Sequence, residues 1–417
     1  MVPCTVLRHW GARRSGWRLT LLLAAVALAA TGCTANAKSG SSRTPHILGA
    51  PTGTPLVLGQ PAPAGTGQLG ALSCASARRC WAVGVARPNA AARPGSTTVI
   101  VATTNGGRTW RAQHVAGGSI PQLSGVSCPT PTDCLAVGSN GASLPGSGVV
   151  LATTNGGATW NPVAAPTGAL TVITVSCSSA TECLAVVSDG SFIWSATSTD
   201  FGQAWQRQGN MPSLFLASDD LSCTPGGPCL VAGYVPTGTG TGEGAVALSG
   251  DGGRTWSLAS VPNGIGVLRS ATCSTSTTCL AAGSTSSSVN NVVPAKGALL
   301  DSTDGGHTWR PVTSSLPVAA VFDIECPTAT VCAMVGTVWK GTPAVGTGGV
   351  AQSGDAGATF HLSSAAYVPL TLTALSCPTA TTCIAAGGDS LARITVAPPK
   401  TRHHRAGAQG SGTLGTR

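Results

Sequence analysis

VSCPTPTDCLAVG, residues 126–138, decides the fold, because the chain repeats it in varied form seven times. An apolar residue and usually a serine lead into a cysteine. A polar loop of five follows, then a second cysteine and an apolar run: WAVGV, LAVG, LAVV, LVAG, LAAG, AMVG and IAAG in successive copies. Fourteen of the sixteen cysteines form these Cys-x5-Cys pairs: Cys74/Cys80, Cys128/Cys134, Cys177/Cys183, Cys223/Cys229, Cys273/Cys279, Cys326/Cys332 and Cys377/Cys383. Each unit reads as a strand, a tight turn and a strand. The two cysteines then face each other across the hairpin, where opposed positions bring Cβ atoms within bonding reach. Disulfides suit an exported chain, and zinc would call for histidines that do not accompany these pairs.

First cysteines are 54, 49, 46, 50, 53 and 51 residues apart. A repeat near 50 is that of a propeller blade. Only 9% of residues are charged and no amphipathic helical stretch stands out, which is the composition of many short strands joined by turns. The expected fold is all-β: a seven-bladed β-propeller with one Cys-x5-Cys hairpin per blade.

A second motif keeps the same phase. TTNGGRTW (103–110), TTNGGATW (153–160), STDFGQAW (198–205), SGDGGRTW (249–256), STDGGHTW (302–309) and SGDAGATF (353–360) lie between successive cysteine pairs. An Asp or Asn side chain accepts hydrogen bonds from its own turn, glycine relieves the backbone there, and the aromatic lays an apolar face between sheets. These segments resemble the Asp-box of bacterial neuraminidase-type repeats, with Asn105, Asn155 and Phe360 as departures. The resemblance implies a turn joining the third and fourth strands of a blade, on the rim away from the usual active face. It therefore implies structural roles for Asp200, Asp251, Asp304 and Asp355.

From each aromatic to the next cysteine the distance is 17 or 18 residues, whereas the stretch from second cysteine to aromatic varies from 22 to 30. Insertions therefore fall between strands two and three. After Cys383 only two more strands fit. Counting 17 residues back from Cys74 reaches Val57, in PLVLGQ (55–60). This N-terminal strand is expected to close the last blade by pairing with the strand around 392–397, leaving no open sheet edge.

The termini read differently. Residues 1–32 carry Arg8, Arg13, Arg14 and Arg18, an apolar run from Leu19 to Ala30, and Ala30-Thr31-Gly32 ahead of Cys33. The run is too short for a mature membrane helix. It resembles a lipoprotein signal, with Cys33 lipidated; plain cleavage and secretion is the alternative, and the export route is left open. Residues 33–45 read as a flexible tether, 46–397 as the propeller, and 398–417 as a disordered basic tail. Net charge is +9, but residues 46–397 sum to −1. So neutral a body carries no footprint for nucleic acid.

Over roughly residues 55–397 the chain is similar to neuraminidase/Asp-box repeat proteins and to photosystem II assembly-factor-like propellers. That group contains sialidases, other glycosidases, sorting receptors and non-catalytic assembly factors, so the fold does not choose the function. The sialidase (F/Y)RIP motif is absent, and only Tyr234 and Tyr367 are present as tyrosines. A retaining glycosidase needs two carboxylates about 5 Å apart, and acids are few. No catalytic residue, cofactor or metal is assigned.

The ligand-binding candidates are Asp220 and Asp323, three residues before the first cysteines of blades four and six, with Asp219 and Arg269 one position earlier in blades four and five. Trp339 and Lys340, between strands two and three, join them. The position is read as the start of the innermost strand, near the channel mouth. An Asp–Arg–Asp arc there holds either a polar ligand or neighbouring blades, and Glu325, where other blades have Ser or Thr, joins the same cluster. Tyr234 belongs with the insertion residues; Trp194 reads as core.

The leading reading is a monomeric, membrane-anchored, non-catalytic binding or assembly propeller of the cell envelope, with a protein or glycan ligand. An exo-acting, sialidase-like glycoside hydrolase and a purely structural envelope protein are the alternatives.

Overall fold

The computed structural model describes residues 57–87, 98–116, 122–141, 146–213, 215–217, 220–238, 241–286, 296–340, 345–363 and 372–396. They belong to one compact unit, Pro51–Arg417, and form seven antiparallel sheets. Blade one is Thr66–Cys74, Cys80–Ala86, Thr98–Thr103 and Arg111–Ala112; blade two is Gln122–Ser127, Cys134–Ser139, Gly148–Thr153 and Asn161–Val163. Blade three is Thr171–Cys177, Cys183–Ser188, Ile193–Ser198 and Gln206–Asn210. Blade four is Leu216–Ala217 with Ser222–Cys223, then Cys229–Gly238, Thr241–Ser249 and Ser257–Leu258. Blade five is Leu268–Cys273, Cys279–Ser284, Gly297–Ser302 and Arg310–Pro311. Blade six is Ala320–Glu325, Cys332–Lys340, Val345–Ser353 and His361–Leu362. Blade seven takes Ala374–Thr379, Thr382–Gly387 and Ser390–Thr395 from the C-terminal end.

Its fourth strand is Val57–Pro61, paired from Val57↔Ile394 to Pro61↔Ser390. The closing strand expected at 55–60 therefore exists, shifted by one or two residues. Seven apolar clusters fill the seven seams between neighbouring blades. Leu69, Val101, Ala386 and Leu391, for example, join blades seven and one, and Trp81, Ile100, Leu123 and Trp160 join blades one and two. The core is thus a ring of interfaces, each contributed by two sheets.

Turns from strand one to two and from strand three to four share one rim in blades one to six. The 103–110 turn and its five counterparts close alike. In the fourth of them, Ser249 Oγ donates to Asp251 Oδ1 at 2.7 Å, and the Gly253 and Thr255 amides donate to Ser249 Oγ and Asp251 Oδ1. Asn105 and Asn155 hold the same turn through their amide oxygens. These hydrogen bonds keep the aspartates acidic. Around Asp251 desolvation pushes upward, but the Thr255 and Ser249 hydrogen bonds outweigh it and hold the carboxyl at about 2.

Each such turn also braces the preceding blade. A β-carbon on Gly253 (φ +88°) would come within 2.4 Å of Leu184 Cδ1, the residue after the second cysteine of blade three. Ile384, Trp81, Leu135, Leu230 and Leu280 press in the same way on Gly107, Gly157, Gly202, Gly306 and Gly357 of the blades that follow them. Glycine suits the turn by its positive φ, and its missing side chain lets the preceding blade pack close. Blade six has Ala333 at that position. Blade seven has no turn to press against it, because its outer strand comes from the other end of the chain.

All seven expected disulfides are formed. They place the folded region in an oxidising, extracytoplasmic compartment. Among the described residues no helix is long and apolar enough to cross a membrane. Cys33, the tether and the basic tail lie outside the described residues.

Candidate functional site

The innermost strands carry a feature with no mark in the sequence. Pairing between strands one and two shifts by one residue at Gly70, Ser124, Ile173, Arg269 and Phe322, so five blades bulge at the same place. A bulge adds an unpaired residue and re-aims the side chains beside it. In four of these five blades strand two has a glycine opposite the bulge, and in blade three it has Val187. A β-carbon on Gly84, Gly138, Gly283 or Gly336 would sit 1.9–2.1 Å from a carbonyl oxygen of strand one or, at Gly283, of the residue just before it. The site position three residues before the cysteine directly follows this bulge. In these five blades it lies inside the innermost strand rather than at its start, as the sequence had suggested; in blade four Asp220 falls between the two short strands Leu216–Ala217 and Ser222–Cys223.

From there the side chains reach the next blade. Asp220 Oδ2 accepts the Ala271 amide of blade five at 2.7 Å. Ser270 Oγ accepts the Ile324 amide of blade six at 3.2 Å and donates to Asp323 Oδ1 at 2.9 Å. Asp323 Oδ2 accepts the Leu375 amide of blade seven at 2.7 Å. Two residues further on, a second row does the same. Ser73, Ser127 and Ser376 accept the amides of Cys128, Cys177 and Cys74, and in blade six Glu325 takes the serine's place and accepts the Cys377 amide.

Burial raises the pKa values of the acids here. Burial, then the neighbouring Asp323 and Asp220, push Glu325 up to about 8, against the hydrogen bond from Cys377. Burial raises Asp323 too, against the hydrogen bonds from Leu375, Ser270 and Ile324. Among the described residues no group of three or more His, Cys, Asp or Glu is placed to hold a metal ion.

Arg269 and Phe322 are the bulge residues of blades five and six, and the guanidinium lies over the ring at 5.3 Å from its centroid. The structure therefore brings Asp220, Asp323 and Glu325 within electrostatic reach of one another, with Arg269 stacked beside them. Asp219 and the Lys340 side chain lie outside the described residues. Phe322 was not singled out from the sequence, since its importance depends on the bulge.

Trp339 sits apart from the inner ring. Strands two and three run ten and nine residues in blade four, and nine and nine in blade six, against six or seven in the other blades. These two hairpins rise on the face opposite the disulfides. Each carries a half-buried aromatic over a cross-strand glycine. The Tyr234 ring occupies the space where Gly242 would have a side chain, and Trp339 does so at Gly346. Trp194 is fully buried, with Arg207 over its ring at 4.3 Å. On the disulfide rim, a cavity of about 550 Å³ opens between blades three and four, over the Gly226-Gly227 turn.

No protein-family model and no curated protein matches the chain. Solved structures do. YCF48 bound to D1 peptide superposes with a TM-score of 0.57 at 15% identity, covering 82% of this chain and 96% of that one. YCF48 from Cyanidioschyzon merolae gives 0.53 at 11%, covering 81% and 98%. A catalytically inactive virginiamycin B lyase from Staphylococcus aureus, with quinupristin, gives 0.55 at 9%, covering 82% and 99%. What the chain shares with them is the fold. The same ring serves an enzyme and a peptide-bound protein, so the residues have to separate the two.

Proposed function

We propose that this chain is a non-catalytic binding propeller of the cell envelope. It is exported, held at the outer face of the membrane through lipidated Cys33, and engages a protein segment on the face where the hairpins of blades four and six rise. The observation that carries the reading is the use made of the central carboxylates. Both oxygens of Asp323 are occupied by blades five and seven, and Asp220 holds blade five. A carboxylate fixed in this way ties sheets together and is poorly placed to attack a substrate.

The tall hairpins supply what the inner ring lacks: protruding backbone and the aromatics Tyr234 and Trp339, residue types enriched where proteins bind one another. A propeller of the same fold has been solved with a peptide bound, which supports a peptide-like ligand. The hydrogen bonding of the 103–110 turn and its counterparts supports reading them as Asp-boxes. A monomer is the expected state.

One observation favours a second reading, a glycoside hydrolase. Asp323 and Glu325 lie two apart on one strand, on the same face. Glu325 has the raised pKa a general acid needs. Fluorogenic sialosides and common glycosides separate the two readings. The binding reading predicts no turnover. Turnover that disappears in Asp323→Asn with unchanged folding would establish the hydrolase.

A further inference from the structure

Of the seven seams in the ring, six are braced by a glycine turn pressed against the preceding blade, and the seam between blades six and seven is not. That seam joins the last blade, the one assembled from both ends of the chain. Its polar contacts include the Gln352 amide donating to the Thr395 carbonyl at 3.3 Å, Asp323 on the Leu375 amide, and Glu325 on the Cys377 amide. At the equivalent place, blades one, two and seven use a serine that cannot ionise.

We propose that this seam is a pH-sensitive latch, closed while Glu325 is neutral and loosened when Glu325 ionises beside Asp323 and Asp220. The groups around it are fixed by the fold. Asp323 shares its strand and Asp220 comes from blade four. Blade five presents Ser270, and Arg269 stacked on Phe322. Blade seven presents the Leu375 and Cys377 amides, while the Arg393 stem packs on its other side, against Gly107 of blade one. An anion formed at Glu325 is therefore opposed by two carboxylates.

The direction of the effect follows from linkage. Glu325 holds its proton up to about 8 when folded, against an ordinary 4.5. Between those values the native state carries a proton that the unfolded chain has released. Stability is therefore full below about 4.5 and declines as pH rises towards 8.

The test uses the mature chain with its disulfides intact, melted from pH 5 to 9. The melting temperature should fall across this range, by on the order of 5 °C. Glu325→Gln, which keeps the acceptor and removes the charge, should flatten the profile and melt above the parent at pH 9. If Glu325→Gln does not fold, Glu325→Ser, the residue used by blades one, two and seven, should give the same flattening. Hydrogen exchange, corrected for its own pH dependence, should quicken over 374–379 as pH rises and stay constant over 171–177. A flat parent profile, parallel loss in parent and variants, or equal quickening in both segments would overturn the latch.

Discussion

Removing residues 46–61 will lower the stability of the ring by several kcal/mol, whereas removing residues 34–45 will change it by less than about 0.5 kcal/mol. Val57–Pro61 forms five register pairs with the last strand of the chain, and the Ala62 amide continues the contact onto the Asp389 carbonyl at 2.9 Å. Without that strand, Ser390–Thr395 becomes an edge, and backbone groups paired in the native state must find water or another chain. The comparison is made by thermal melting of both deletions under non-reducing conditions. Equal melting temperatures would show that the ring closes in some other way.

Reduction should have the largest effect. Each disulfide closes a loop of six in sequence separation. A loop that short nominally contributes about 2 kcal/mol, so seven together approach the whole stability of an ordinary domain even if they add incompletely. Cys80, Cys134 and Cys383 are fully buried, so reductant acts efficiently only after unfolding. Protein reduced in denaturant should fail to regain its native melt until it is reoxidised. Thiol titration of the denatured, unreduced protein should find no free thiol between residues 46 and 397. Several titratable thiols, or an unaltered melt after reduction, would remove the disulfides from the account.

Covalent and periodic signals made most of the fold legible. The Cys-x5-Cys pairs gave blade number and hairpin register together. The constant 17-residue phase located the closing strand, because the passage from strand four to strand one crosses a fixed seam. Ala333 could also have been read from sequence: a small residue follows the second cysteine only in the blade whose neighbour has no strand-three-to-four turn. The glycine that follows four residues after the second cysteine, as in Gly84 or Gly336, was present in the repeats. The closeness of the inner strand's carbonyl oxygen at Gly84, Gly138, Gly233, Gly283 and Gly336 became visible only with the structure in hand.

The candidate site was harder to read for the same reason. A bulge depends on two strands, so neither strand's sequence reveals it. It places Asp323 within its inner strand, turned onto the neighbouring backbone, while Asp220 reaches the next blade from the gap between two short strands. Glu325 stood out in sequence as the acid among serines, but its partner across the seam did not. The extra length of the second-to-third-strand connections was clear. That blades four and six use it for regular hairpins with an aromatic over a glycine was not, since Tyr234–Gly242 and Trp339–Gly346 are cross-strand relations.

Site-specific photo-crosslinking in the producing cell tests the binding reading most directly. A photoreactive residue at Thr237, exposed near the tip of the blade-four hairpin, is compared with one at Thr277, exposed on the disulfide rim of blade five. The account predicts a discrete protein adduct from position 237 and none from 277. It also predicts that the adduct is lost when Tyr234→Ala and Trp339→Ala are combined in a chain that still melts normally. No adduct from 237, or the same adducts from both positions, would contradict the claim that this face holds a protein partner.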